Sequence, residues 1–278
     1  MTHGQIDVAL LQTLNICLIG AGKMGAAMLE SWLRCGVSGS QITVRDPHLK
    51  DTVAALCKQY NVAVNTEPLD CPDILVLAIK PQMLDVLVSD ITRLISSKTL
   101  ILSILAGKSI ADLAKRFSGT DLFVRAMPNL PASIGYGATG VVSSAHVPEI
   151  LHKAVDVLLR AVGSVEWLES EDLVNTVAAI SGSGPAYVFL LAECLAQAGV
   201  NAGLPSDLAQ RLARQTVIGS GLLLKESSLP PATLRENVTS PGGTTAAALR
   251  VLLGEKGIQP LMEEAVRAAE IRAEELSG

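Results

Sequence analysis

Short, almost continuous apolar runs punctuate the first part of the chain. They are Asn15-Ile16-Cys17-Leu18-Ile19, Gln41-Ile42-Thr43-Val44, Asp73 to Ile79, Thr99 to Leu105, Leu122 to Met127 and Gly140-Val141-Val142. Runs of strand length without polar alternation are what a parallel sheet covered on both faces requires. The stretches between them read as helices, and this alternation persists to about Glu166, which predicts one doubly wound α/β domain. After Trp167 the pattern changes. Asp172 to Ala198, Leu208 to Leu224 and Pro260 to Leu276 read as helices, and the β-branched runs are gone. Within the first of these, Ser181-Gly182-Ser183-Gly184-Pro185 reads as a break or restart, with Ser183 as cap and Pro185 at the first helical position.

The late helices carry apolar residues over most of their circumference. A helix apolar on most sides is buried on most sides, and this half is too short to cover all of that surface alone. A homodimer through the helical half is therefore expected; sedimentation as a compact monomer at micromolar concentration would contradict it.

Composition narrows the function classes. The 278 residues allow two cores. Aromatics make up only 3%, and Ala, Leu, Val and Gly dominate, which favours closely packed helices and an α/β sheet over a sandwich or barrel. A net charge of −5 and no basic run argue against a nucleic-acid partner. Every apolar run reads as broken well short of the roughly 20 residues that span a bilayer. Met1 to Thr13 carries Asp7 and lacks a basic leader, so no signal peptide and no membrane partner are expected. The five cysteines, Cys17, Cys35, Cys57, Cys71 and Cys194, show no CxxC spacing. Their odd number points to reduced, mostly buried thiols in a cytoplasmic protein. No paired-histidine motif points to a metal.

Two glycine-rich loops carry the candidate chemistry. Gly20-Ala21-Gly22-Lys23-Met24-Gly25 follows a strand and opens a helix, the context in which GxGxxG is informative. Gly20 makes the tight turn, Gly22 lets a pyrophosphate approach the backbone, and Gly25 lets helix and strand pack closely. The first half is thus a Rossmann-type sheet. Arg45-Asp46 closes its second strand, where an acid would take ribose hydroxyls and favour NAD, while an arginine would hold a 2′-phosphate and favour NADP. Both stand there, so the two readings stay open; removing Asp46 is expected to favour NADP by removing a charge that repels the phosphate. Pro81 stops the third strand and leaves Lys80 at the carboxyl end of the sheet, where open sheets bind ligands. Ala106-Gly107 ends the fourth run with residues small enough for a nicotinamide ring to lie on backbone. In the second loop, Ser240-Pro241-Gly242-Gly243-Thr244-Thr245, glycines let successive N–H groups converge on one concavity. The helix read from Ala246 to Leu253 adds its positive end, which suits a small carboxylate.

Along nearly its whole length the chain resembles the Δ1-pyrroline-5-carboxylate reductases. The matching segments are Ile19 to Gly25, Leu77 to Gln82, Arg125 to Asn129, Ser181 to Tyr187 and Val238 to Thr245; only residues 1–13 fall outside, as an N-terminal extension. The resemblance implies a dinucleotide-binding Rossmann domain at 14–170 and a helical dimerisation and substrate-binding domain at 171–278. It implies NAD(P)H-dependent reduction of an imine to L-proline, with NADP as cofactor and NAD as the alternative, in a homodimer that the family commonly stacks five-fold into a decamer. It places the substrate carboxylate on Ser240, Gly242, Gly243, Thr244 and Thr245, with the Thr245 hydroxyl at the ring nitrogen as the catalytic contact. Glu171, near the substrate, and Asn237 come to the nicotinamide end across the dimer interface. Asn65 lies near the adenosine ribose, and Ala78, Ile79, Lys80, Pro81 and Ala106 line the cofactor. Arg45-Asp46 departs from the Ser- or Asn-Arg versions associated with NADP preference.

The chemistry agrees with the residues. A ketone reductase needs a proton donor for the forming alkoxide, yet His3, His48, His146 and His152 fall in none of these motifs. A protonated imine already carries positive charge and accepts hydride without a poised acid, so orientation is the main requirement. Dehydrogenases that use a helical-domain lysine are poor rivals, because only Lys225 and Lys256 occur there and neither lies in a buried apolar run. A nucleotide sensor would have no need of the second loop.

Overall fold

The computed structural model describes residues 8–66 and 71–277. Of the extension read at 1–13, residues 1–7 lie outside the described part. From Val8 the chain is anchored: a 3-10 turn, Ala9–Thr13, buries Leu11 completely, and Gln12 donates to the Gly36 carbonyl at 2.8 Å.

Among the described residues eight strands follow: β1 (Ile16–Ile19), β2 (Ile42–Arg45), β3 (Ala63–Val64), β4 (Ile74–Leu77), β5 (Leu100–Ser103), β6 (Phe123–Met127), β7 (Gly137–Ser143) and β8 (Gly163–Trp167). Their order is β3-β2-β1-β4-β5-β6-β7-β8, with only β6 and β7 antiparallel. Every residue of β1, β4 and β5 is buried, as their unbroken apolar sequences require. Helices α1 (Lys23–Arg34), α2 (Asp51–Tyr60), α3 (Leu84–Thr92), α4 (Ile110–Arg116) and α5 (Glu149–Arg160) are interspersed among the strands. One face packs Leu18, Met28, Trp32, Val76 and Leu158 together, and the other packs Leu75, Leu77, Leu84, Leu113 and Phe117. Each fully buried Leu, Ile or Phe stabilises by about 1.5–3 kcal/mol. The one polar group of Trp32 is satisfied, its Nε1–H reaching the Leu158 carbonyl at 2.8 Å. The strand order reverses between β1 and β4, and the crevice outside their carboxyl ends is where such sheets bind ligands.

The helical half contains α6 (Leu173–Val177), a π turn at Ala178–Gly182, α7 (Gly184–Asn201), α8 (Ser206–Glu226), α9 (Pro231–Asn237), α10 (Thr244–Leu252) and α11 (Ile258–Ser277). At Ser181–Pro185 the helix restarts as expected: the π turn ends at Gly182, Ser183 stands at the N-cap of α7 without a side-chain cap bond, and Pro185 lies in the first turn, while Leu173–Asn201 still runs as one helical stretch. Pro185 has no N–H to donate, and the extra residue of the π turn absorbs the lost register. This corrects the expectation that every apolar run stops short of bilayer length: by length and composition this helix could cross a membrane.

The described residues pack as two compact units, one running up to Gly182 and taken up again from Glu270, and the other Ser183–Ala269. The boundary read at 170/171 marks where strand–helix alternation stops. The packing boundary lies at 182/183 because α6 sits on the sheet, close enough that a Cβ on Gly140 would fall 2.7 Å from Val177 Cγ1. In the second unit α7 and α8 pair through a short turn with Gly203 at φ +102°, and Ala209 and Ala213 are buried. The large apolar side chains of this unit, among them Phe189, Leu190, Leu212 and Leu223, stay exposed in the single chain.

All five cysteines are free. Only Cys17 and Cys57 are buried; Cys35 is half-buried, and Cys71 and Cys194 are exposed, which corrects the expectation of mostly buried thiols.

Candidate functional site

The glycine loop after β1 is built as its spacing demands. Gly20 has φ +90°, and a Cβ there would lie 2.8 Å from the Ala78 carbonyl oxygen at the end of β4. Gly25 sits in α1 against the loop itself: its Cβ would be 2.2 Å from the Gly20 oxygen. Gly22 is the opposite case. It precedes α1 in extended backbone, and nothing in the chain lies within 4 Å of where its Cβ would be. Two glycines are thus needed by the fold, and the third keeps a space open at a helix N-terminus, where a phosphate would be favoured. Lys23 is exposed beside it, Ala21 is buried and Met24 half-buried.

At the end of β2, Asp46 is engaged with backbone. One carboxylate oxygen accepts the Ala21 N–H at 2.8 Å and the other the His48 N–H at 2.8 Å. Asn65, in left-handed backbone at φ +51°, holds the same residue: its side chain accepts the Asp46 N–H at 2.9 Å and donates to the Asp46 carbonyl at 3.0 Å. The acid brackets the glycine loop instead of pointing an uncommitted carboxylate outward. Arg45, Pro47 and Asn65 line a cavity of about 460 Å³ together with Ile19, Ile79 and residues of α3. Its lining is mostly apolar, with the polar side chains of Arg45, Asn65 and Asp90 among it, and the first two are of the kind that could hold an adenosine and its phosphate. Cys17, on β1, has its thiol pushed up to about 11 by burial, with Arg45's charge pulling the other way.

The turn after β5 carries Ala106, exposed, and Gly107 at φ +68°. It is tied down from two directions. A Cβ on Gly107 would lie 2.6 Å from the Leu276 carbonyl oxygen at the end of α11. Three residues on, α4 starts with a capping box in which Ser109 accepts the Asp112 N–H. The Ile110 N–H of this helix donates at 2.8 Å to Glu171 Oε1, which also accepts from Arg125 Nη1 at 2.9 Å. Arg125 is buried in β6, its side chain 7% exposed. Glu171, expected near the substrate, is therefore engaged within its own chain. Lys80 is exposed beyond β4, and Pro81 begins a short 3-10 turn leading into α3.

In the second unit, Ser240–Thr245 forms a separate structure. Gly242 has φ +74°, and the Gly243 N–H turns back to the Ser240 carbonyl at 3.0 Å. The first bond of α10 runs from the Ala247 N–H to the Gly243 carbonyl at 3.1 Å, so the N–H groups of Thr244, Thr245 and Ala246 lie ahead of it without helical acceptors. Among the described residues, the hydroxyls of Ser240, Thr244 and Thr245 bond to nothing in the chain, and no side chain caps the helix. A Cβ on Gly242 would meet nothing within 4 Å. Three hydroxyls and a row of N–H groups with no internal use have the chemistry to hold an anion of carboxylate size. Asn237, at the end of α9, is exposed.

Arg125 and Asn129 were not assigned roles by sequence reasoning. The signal for Arg125 was available: a charge inside Phe123–Met127, a strand buried on both faces, demands an acid partner. Asn129 bonds to Ser181 and Ala138 and had no comparable signal.

Comparison with known proteins adds the following. A family model described as "Pyrroline-5-carboxylate reductase dimerisation" matches residues 171–276, and one described as "NADP oxidoreductase coenzyme F420-dependent" matches residues 15–107. A pyrroline-5-carboxylate reductase of Synechocystis is 40% identical over 271 residues, covering 95% of this chain and 98% of the relative. The solved structure of such a reductase from Coxiella burnetii superposes with a TM-score of 0.89 at 33% identity, covering 96% of this chain and 99% of that one. That of the Plasmodium falciparum pyrroline carboxylate reductase, with NADP bound, gives 0.78 at 28% identity, covering 96% and 99%.

Proposed function

This chain belongs to the pyrroline-5-carboxylate reductase family, and on that premise we propose that it reduces 1-pyrroline-5-carboxylate to L-proline with NADPH, the last step of proline synthesis. The observation that carries the reading is the Ser240–Thr245 loop, whose hydroxyls and helix-end N–H groups have no internal use, on a chain that also holds an open glycine loop at Gly22. The residues fit the dinucleotide: the space at Gly22 admits a pyrophosphate, and the cavity beside Arg45 and Asn65 admits an adenosine.

When bound, NADPH supplies the hydride. The chain's own work is to hold and orient. Gly20 to Gly25 fix the phosphates, with Ala21, Lys23 and Met24 around them, while Arg45 holds the adenosine end beside the loop that Asp46 and Asn65 brace. Ala78 to Pro81 and Ala106 line the path to the nicotinamide. Ser240, Gly242, Gly243, Thr244 and Thr245 grip the substrate carboxylate, and the Thr245 hydroxyl meets the ring nitrogen, with Asn237 nearby. The protonated imine already carries the proton its nitrogen keeps and takes only hydride at carbon, so alignment of the two reactants supplies most of the rate.

The domains are the nucleotide-binding part at 14–170 and the helical part at 171–278. The apolar helices, exposed in one chain, are covered in a homodimer formed through the helical half, five of which build a decamer, and the protein works in the cytoplasm. A bilayer is a poorer cover for Leu173–Asn201, because α6 packs on the sheet through Val177. The test is to incubate purified protein with pyrroline-5-carboxylate and NADPH deuterated at the transferable position. Proline carrying one deuterium at the former imine carbon, formed one for one with NADP, supports the reading. Consumption of NADPH without proline contradicts it.

A further inference from the structure

From the Arg125–Glu171–Ile110 linkage we infer that Glu171 is a positioning residue for the nicotinamide end of the cofactor, acting through the turn at Ala106–Gly107, and that Arg125 holds it there. The inference rests on the proposed function in one respect: it takes Ala106–Gly107 as the place where the nicotinamide lies.

The geometry singles out this linkage. One oxygen of Glu171 accepts both the Arg125 guanidinium at 2.9 Å and the Ile110 N–H at 2.8 Å. Ile110 is the first residue of α4, and its N–H would otherwise be one of the unpaired donors of a helix start. A carboxylate at that end is also favoured by the helix dipole. The capping box of Ser109 and Asp112 completes the helix start, so the seven residues from Gly107 to Leu113 are fixed at both the loop and the helix side. Arg125 belongs to β6, which pairs with β5, and the Ala106–Gly107 turn leaves from the end of β5. The pair therefore ties the turn to the neighbouring strand through a side chain 46 positions along the chain. Removing one member of a buried pair leaves the other uncompensated, so the linkage acts as a unit.

A positioning role differs from general support in what it disturbs. The adenosine and pyrophosphate contacts lie on β1, β2 and the glycine loop, whereas the linkage touches only the turn after β5. Loss of the carboxylate should free the nicotinamide end and leave the adenosine end in place.

The experiment compares the full-length protein with its Glu171→Ala and Glu171→Gln variants. Binding of NADPH and of 2′,5′-ADP, which lacks the nicotinamide, is measured by titration calorimetry, and turnover is measured beside it. For Glu171→Ala the expected result is NADPH affinity lower by about five-fold or more and 2′,5′-ADP affinity unchanged within about two-fold. kcat should fall by about ten- to a hundred-fold, the scale of a small misplacement. Glu171→Gln keeps an acceptor for the Ile110 N–H and should recover part of the kcat. Unchanged 2′,5′-ADP binding also shows that the nucleotide fold is intact; should Glu171→Ala not fold, the same contrast is read on Glu171→Gln. Equal weakening of both ligands, or of neither, overturns the inference. A wild-type protein that binds NADPH yet makes no proline sinks the proposed substrate and leaves the binding contrast standing.

Discussion

The Asn129 side-chain amide donates to the Ser181 carbonyl at 2.9 Å, and its oxygen accepts the Ala138 N–H at 2.9 Å. One buried amide thus joins the end of β6, the start of β7 and the π turn of Ala178–Gly182. It explains why two motifs far apart in sequence occur together. Asn129→Ala strands a half-buried carbonyl and a half-buried N–H, which costs about 1–3 kcal/mol, so Tm should fall by several degrees. Asn129→Asp should fall further, since it sets a carboxylate against the Ser181 carbonyl. A Tm unchanged by Asn129→Ala in a thermal melt would contradict the role.

Gly22 and Gly25 separate ligand need from fold need. Gly22→Ala adds a Cβ into open space, so Tm should hold while the KM for NADPH rises about ten-fold or more, because the methyl occupies the pyrophosphate's place. Gly25→Ala drives a Cβ to 2.2 Å from the Gly20 oxygen, so it should lower Tm as well. Equal effects of the two changes on Tm would contradict the division.

Arg45 and Asp46 divide the work on cofactor choice. With both carboxylate oxygens on backbone N–H groups, Asp46 chiefly braces the glycine loop. Asp46→Ala should weaken NADPH and NADH alike, by about ten-fold, the worth of a charged hydrogen bond. Arg45→Ala should raise the KM for NADPH by about ten-fold or more and leave that for NADH nearly unchanged. Steady-state kinetics with both cofactors decide; a shift in preference larger for Asp46→Ala than for Arg45→Ala would reverse the assignment.

Cys17 gives the protein an alkaline weakness. Burial raises its thiol from 9.0 to about 11, so between these values the unfolded chain loses this proton and the folded one keeps it. Its contribution is fully present below pH 9.0 and lost as pH rises through about 11, to the extent of about 2–3 kcal/mol. Denaturant unfolding of the wild type and of Cys17→Val across that range should give curves that converge or cross as pH rises, with the wild type falling faster. Parallel curves would contradict the shift.

How much of this was legible in the sequence depended on how local the signal was. Ile16–Ile19, Ile74–Leu77 and Leu100–Ser103 were readable because burial on both faces leaves an unbroken apolar run. Ala63–Val64 is too short to show a period, and Gly163–Trp167 hides behind Ser164 and Glu166 on an outer strand. The glycine loops were readable because backbone shape dictates glycine. Side-chain pairings were not: Asp46 with Ala21, Arg125 with Glu171 and Asn129 with Ser181 are joined only by the fold. The π turn escaped because Ser-Gly-Ser-Gly-Pro reads locally as a break or restart, while continuation depends on packing around Val177 and Asn129.

The most direct test of the account is the initial rate of NADPH oxidation with pyrroline-5-carboxylate, wild type against Thr245→Ala. The account predicts ready turnover by the wild type and a rate lower by roughly one to two powers of ten in the variant, with NADPH binding unchanged. A wild-type protein that binds NADPH but does not turn over, or a variant equal to it in both rate and substrate affinity, would contradict the account.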